Sequence, residues 1–384
     1  MIHQMLRIVG ICFPAVILLC SFLPENKRIK YTRSRTIAVD YGIEQTYVQA
    51  FQDNSATDSL YLLKTGKHIP VHYFRKVHTG VCFDNKCREL DIIVYWNITG
   101  RYLGFAMPEG EFLSKTEHEP FTEEEYVRLN ELLADPSLPL GGISFEELID
   151  ASESETGLVD GVSGATSNEV SEMVVEGAAY TTHKLWNIVY GPTQDLVIQL
   201  TEKQLTPDLI DKILKSPDIN DRVWALNRID QSIELNSNLS CSLLDIISGE
   251  DYFLAYSAIH AIDPVHLDSD AFQSGLFSKY AVLDYGLKKM ILEKLMTAPY
   301  LSEDIVISSR GLLEQLNGQQ LGDFLEMYSI HSVSDPETCR TIATLLGNEN
   351  RYISQKAYKF LKGMETSDSI IMDKLNAYEK QIPD

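Results

Sequence analysis

From Ile69 to Phe105 apolar and polar residues alternate with a period of two, the pattern of strands that bury one face. Within it, "DIIVYWNITGRYLGF" predicts a strand, a turn at Thr99-Gly100 and a second strand. The period then lengthens. In "FTEEEYVRLNELLADP", Tyr126, Leu129, Leu132 and Leu133 share one helical face, Thr122 and Glu125 form a capping box, and Asp135-Pro136 ends the helix. "GAAYTTHKLWNIVYGP" predicts another helix, stopped by Gly191 and Pro192. A strand meander with helices around it makes an α+β domain, spanning residues 31–195.

Past Leu200 the strand signals vanish, and residues 196–384 read as all-α. "ILKSPDINDRVWALNRI" from Ile213, "IISGEDYFLAYSAIHAI" from Ile246 and "LLGNENRYISQKAYKFL" from Leu345 share a layout of apolar pair, polar turn and helix. Each carries alanine at its thirteenth position: Ala225, Ala258 and Ala357, one and three periods of 33 residues apart. The two intervening units, ending near Leu295 and Tyr328, match in hydrophobicity alone. The layout resembles a degenerate HEAT-like α-solenoid, in which small residues let stacked helices approach. The alternative is an ordinary helical bundle with chance spacing.

Length changes the picture in one respect: 384 residues exceed one average core, so two folded units are expected. Net charge is −22, which argues against nucleic-acid binding, since neutralising phosphates needs a basic face. The first 30 residues stand apart. Ile8–Leu23 is an apolar run of 16 residues, interrupted by Gly10, Pro14 and Ser21 and preceded by Arg7. It is short for a bilayer span of about 20 residues and suits a secretory signal peptide or membrane anchor. Cys20 ends an "ILLC" string like a lipoprotein box, with Leu19 where a small residue is usual. Lys27, Arg28, Lys30, Arg33 and Arg35 follow the run, against the positive-inside pattern of an exported chain. A core helix is the alternative; export or anchoring is the expectation.

In "GVCFDNKCREL", Asp84-Asn85 form a plausible two-residue hairpin turn. Phe83 then faces Lys86, and Cys82 faces Cys87 as a non-hydrogen-bonded pair with Cα atoms about 4.5 Å apart, within disulfide reach. A zinc site would need a second such pair, and the sequence has none. A disulfide there places the domain in an oxidising, extracytoplasmic compartment.

The most specific chemistry lies in "LVDGVSGATSNEV", Leu158–Val170. Asp160 to Thr166 reads D-G-V-S-G-A-T and matches D-x-x-[ST]-[GA]-A-[ST] without departure. Gly164 and Ala165 leave the backbone bare beside the Thr166 hydroxyl, so that another group can come close to that oxygen. Backbone N–H groups of such a turn, followed by a helix start at Ser167-Asn168, can cradle a phosphate. The motif resembles the flavinylation site of the FMN-binding domain family, as in the C subunit of sodium-pumping NADH:quinone reductase and the G subunit of Rnf complexes. The resemblance extends more loosely over residues 70–192, through "KTEHEPF" (Lys115–Phe121) and "YTTHKLW" (Tyr180–Trp186), and leaves the all-α half outside it.

The resemblance implies covalent FMN, joined by a phosphoester to Thr166, with Asp160, Ser163, Gly164 and Ala165 as the recognition turn. It implies an FAD:protein FMN transferase as maturation partner, and a redox partner protein or membrane electron carrier in use. Tyr102, His118, Tyr180 and Thr181 are candidates for the flavin slot through nearness to the motifs. His118 within "EHEP" is either a flavin-side hydrogen-bond donor or a solvated turn residue. No catalytic nucleophile–base pair is evident in the sequence. Expected function is therefore extracytoplasmic electron transfer. The alternatives are a helical-repeat binding protein with a flavin-free α+β domain, and a flavin reductase with a small-molecule acceptor.

Overall fold

Strands form where the alternation places them, and three more precede them. The structure, a computed structural model, describes residues 30–33, 35–37, 42–51, 57–80, 89–115, 118–144, 148 and 171–381. β2 (Ile43–Ala50), β3 (Thr57–Lys64), β4 (Pro70–Thr79), β5 (Leu90–Asn97) and β6 (Tyr102–Ala106) form an antiparallel meander. The short β1 (Lys30–Thr32) adds to β6 and completes a six-stranded sheet of order β1-β6-β5-β4-β3-β2. The turn expected at Thr99-Gly100 lies between β5 and β6, where Gly100 takes φ +86°. Β3 carried a usable signal, since Leu60 and Leu62 alternate inward and are fully buried. Β2 did not: Gln45 and Gln49 stand opposite Leu62 and Asp58, so no apolar period marks the strand.

One face of the sheet presents Leu60, Leu62, Tyr73, Val77, Ile92, Val94 and Trp96, all buried. The helices that follow cover it. α1 (Glu123–Leu133) has the expected capping box and buries Tyr126, Leu129, Leu132 and Leu133. α2 (Ala179–Val189) packs against α1 and against a 3-10 turn at Pro139–Gly142. Trp96 Nε1 donates to the Val189 carbonyl at 2.9 Å and fixes α2 over the sheet. Gly191 ends α2 because a Cβ there would stand 2.4 Å from the Asn187 carbonyl oxygen.

Pro192 does more than stop that helix: it is the first residue of α3 (Pro192–Glu202). The division expected at 195/196 falls inside α3. From it Thr193 Oγ1 accepts from Arg75 Nη1 at 2.9 Å, and Thr201 Oγ1 lies 3.2 Å from the Tyr73 hydroxyl. Both sheet residues are fully buried, so α3 belongs to the cover of the sheet.

The rest of the described chain is helical. α4 (Pro207–Leu214), α6 (Ser237–Ile247), α8 (Asp270–Ser278), α10 (Glu303–Arg310), α12 (Pro336–Thr344) and α14 (Ser369–Glu379) make one layer. α5 (Ile219–Leu226), α7 (Tyr252–Ala261), α9 (Tyr285–Met296), α11 (Gly318–Ile330) and α13 (Arg351–Lys362) make the other. Each helix touches the next member of its own layer, so helical hairpins stack in a row.

The period is strict. Asp218, Asp251, Asp284, Asn317 and Asn350 cap α5, α7, α9, α11 and α13 at intervals of 33 residues, each accepting from a first-turn N–H. The three alanines belong to one series: Ala225, Ala258, Ile291, Phe324 and Ala357 are all fully buried. Where Phe324 replaces alanine, its ring meets Phe277, Tyr280 and Tyr328 edge-on.

The run Ile8–Leu23 lies outside the described residues. No helix among those described is long and apolar enough to cross a membrane.

Candidate functional site

Asp160, Ser163, Gly164, Ala165 and Thr166 lie outside the described residues; what the structure gives is the frame on which that segment begins and ends. On the N-terminal side, His183 of α2 places Nε2 2.8 Å from the Ile143 carbonyl oxygen, which requires the proton on Nε2. Leu148, a little further on, is fully buried. On the C-terminal side, Arg128 of α1 donates through Nη2 to the Glu172 carbonyl oxygen. Thr182 of α2 accepts from the Val175 N–H at 3.1 Å and donates to the Ala178 carbonyl at 3.0 Å. Val174 and Val175 are buried beside it. The chain on both sides of the motif is thus fastened to the single α1/α2 layer.

The loop with His118 is tied to the same helix. Ser114 and Pro120 form a bridge, Lys115 N–H donates to the Glu119 carbonyl at 2.7 Å, and Lys115 Nζ meets Glu125 Oε1 at 2.8 Å. Glu125 and Arg128 are three residues apart on α1, hence on one face. The His118 loop and the return of the chain at Glu172 therefore lie along a common side of α1. His118 itself is exposed, with φ +61°. Burial pulls the Glu125 carboxyl up, but Lys115 and the Thr122 cap outweigh it and hold it below its usual range.

Tyr180 and Thr181 stand in the first turn of α2, next to the Thr182 anchor; Tyr180 is half-buried and Thr181 buried. Tyr102 lies at the start of β6. Its ring is buried under α1, and its hydroxyl donates to Asn130 Oδ1 at 2.9 Å. Arg128 and His183 act through main-chain partners remote in sequence, Glu172 and Ile143, and Thr182 through the nearby main chain of Val175 and Ala178, so side-chain identity alone did not mark them as anchors.

Cys82 and Cys87 also lie outside the described residues. The adjoining ladder sets Thr79 opposite Leu90 and His78 opposite Asp91, the register that the Asp84-Asn85 turn requires.

A second polar centre, missed in the sequence, joins the sheet to the stacked hairpins. Asp221 of α5 is fully buried and accepts from Asn97 Nδ2, Thr99 Oγ1 and Ser216 Oγ, each at 2.7 Å. Arg101 completes the set with Nη2 at 2.9 Å from Asp221 Oδ2 and Nε 3.2 Å from Asp218. Burial pushes the Asp221 carboxyl up, but bonds from Arg101, Thr99 and Ser216 prevail and hold it below the ordinary carboxylate range. The equivalent positions of the next two hairpins are Leu254 and Leu287, both buried. The first hairpin thus exchanges an apolar contact for a carboxylate that receives the β5–β6 turn.

No family model matches the chain, and neither a curated protein nor a solved structure does. The fold and its frame define an α+β unit joined through Asp221 to an all-α stack of helical hairpins.

Proposed function

We propose that the protein is an extracytoplasmic, membrane-anchored or secreted electron-transfer flavoprotein, with one FMN joined by a phosphoester to Thr166. The observation that carries the reading is the uninterrupted motif from Asp160 to Thr166. The frame supports it: both flanks of the motif are held on one helical layer, with an imidazole at His118 and a half-buried ring at Tyr180 on elements of that layer. A flavin slot calls for this mixture of aromatic wall and sparse polar contacts. In maturation the Thr166 oxygen forms one P–O bond as the bond to AMP in FAD breaks, so AMP leaves and the hydroxyl proton is lost. Once bound, flavin accepts one or two electrons and links a two-electron donor to a one-electron acceptor. The chain's own part is to hold the acceptor threonine on an anchored segment and to supply the walls.

The helical half belongs to the same proposal as a HEAT-like solenoid of 33-residue units, a surface for the redox partner. The strict spacing of the five Asp/Asn caps supports this. Cys82 and Cys87 are proposed to be joined as a disulfide, in keeping with the register at Thr79 and Leu90. The test is co-expression with an FAD:protein FMN transferase, followed by flavin fluorescence of the denatured protein. Fluorescence that stays with the wild-type chain and is missing from Thr166→Val supports the assignment. A wild-type chain that never retains flavin would leave the flavin-free binding protein as the better reading.

A further inference from the structure

Helix α7 departs from the stack it belongs to. Its sequence, "YFLAYSAIHA", has no Lys, Arg, Asp or Glu, and is apolar on every side. A helix of that kind is normally enclosed. Yet Phe253 is 58% exposed and Tyr256 43%, and with the exposed His260 they form one stripe along the helix. The other hairpins serve as internal controls, because the 33-residue register identifies the matching positions. There α5 carries Asn220, Val223 and Asn227; α9 carries Gly286, Lys289 and Glu293; α11 carries Gln319, Gly322 and Glu326; α13 carries Tyr352, Gln355 and Lys359. Among the five helices of this layer α7 alone sets aromatic rings at two of the three positions with a histidine at the third, and α13 has the single ring of Tyr352, which lies against Gly318; the stack does not require the full stripe.

The stripe forms one wall of a groove of about 540 Å³. Asp230 and Asp263 also line it, as does Lys294. The Lys294 ammonium is engaged: it donates to the carbonyls of His260 and Ile262, at 3.0 and 2.7 Å, at the end of α7. Between Arg228 and Lys279 the chain has eight Asp or Glu and no Lys or Arg. The groove is thus aromatic, and set in the most one-sidedly acidic part of the stack. An anionic membrane or an acidic peptide would be repelled, whereas cations gain both from the carboxylates and from ring faces.

We propose that this groove docks a basic, apolar segment of a partner protein, with Lys or Arg stems laid on Phe253 and Tyr256 and their charged heads toward Asp230 and Asp263. The proposal stands apart from the flavin assignment, since α7 shares no residue with the framed segment. The test uses the purified full-length protein and a triple variant, F253Q with Y256K and H260E, whose new residues are those that α11 and α9 already carry at these positions. F253Q alone is the second variant. Unchanged circular dichroism and melting establish that each is folded.

A random 12-residue peptide library displayed on phage is panned on the wild type after depletion on the triple variant, and enriched peptides are measured by fluorescence anisotropy. The expected result is enrichment of Lys/Arg-rich peptides that also carry aliphatic or aromatic residues. Their affinity should fall at least ten-fold in the triple variant, by a smaller factor in F253Q, and steeply with added salt. Enrichment of acidic or uncharged peptides, no enrichment over the variant, or equal affinity for both would overturn the proposal. So would cosedimentation of the wild type, but not the variant, with phosphatidylglycerol vesicles, which would make the stripe a membrane contact.

Discussion

Replacing Asp221 by leucine gives the first hairpin the residue that its two successors carry at Leu254 and Leu287. The stack itself should accept the change, since leucine at this position is compatible with the hairpin. The joint should not. Asn97 Nδ2, Thr99 Oγ1, Ser216 Oγ and Arg101 lose a common acceptor in a fully buried place. Removing one partner of such a set costs about 3–5 kcal/mol. The lower end is expected, because Asn97 keeps Thr36, Thr99 keeps Asn97 Oδ1, and Arg101 keeps Asp218. Urea unfolding at pH 7, followed by far-ultraviolet circular dichroism, should show a loss of about 3 kcal/mol, and amide exchange should quicken first in the β5–β6 turn. The pH dependence has a definite sign. A carboxyl held below its unfolded value, about 3.9, contributes fully above that pH and loses its contribution as pH falls through the folded value. The wild type should therefore weaken in acid more than Asp221→Leu does. A loss under about 1 kcal/mol at pH 7, or equal acid sensitivity of the two proteins, would refute the joint as the main tie between the halves.

Other outcomes follow from the same packing. A chain ending at 195 should be insoluble or melt far below the intact protein, because Thr201 and Asp221 are lost from the sheet's buried partners; a chain carried on past Ile229 should regain solubility, as a thermal melt will show. Phe324→Ala empties a fully buried site and should cost about 3–5 kcal/mol in urea titration. Iodoacetamide at pH 8 should label the exposed Cys241 and spare the buried Cys339, whose thiol burial pushes up to about 11, until the chain is unfolded. In protein taken from its native host, Cys82 and Cys87 should resist the same reagent until reduced, and free thiols at both would count against export.

Local signals were legible where one element made them. The Thr122/Glu125 box, the α1 face from Tyr126 to Leu133, and the β5–β6 turn at Gly100 were all open to reading along the chain. The stack was half-legible: Ala225, Ala258 and Ala357 gave the period, while the sharper mark, the Asp and Asn caps from Asp218 to Asn350, was overlooked because capping residues are common everywhere in helical sequence. β2 escaped because an edge strand with polar residues on both faces has no apolar period. The Asp221 joint escaped for another reason. Its partners at Asn97, Thr99 and Arg101 are more than a hundred residues away, and only the docking of α5 on the β5–β6 turn brings them together. The frame around the motif likewise uses main-chain carbonyls, which leave no trace in side-chain identity.

The central claim, a phosphoester at Thr166, is most directly tested by intact mass. Wild-type protein and Thr166→Val are purified from cells with and without the FAD:protein FMN transferase, denatured, and weighed. The account predicts a gain of one FMN less one water on the wild type, only with the transferase, and mapped by fragmentation to the peptide that contains Thr166. Thr166→Val should show no gain under either condition. An unchanged wild-type mass in the presence of a competent transferase, or the same gain on Thr166→Val, would contradict it.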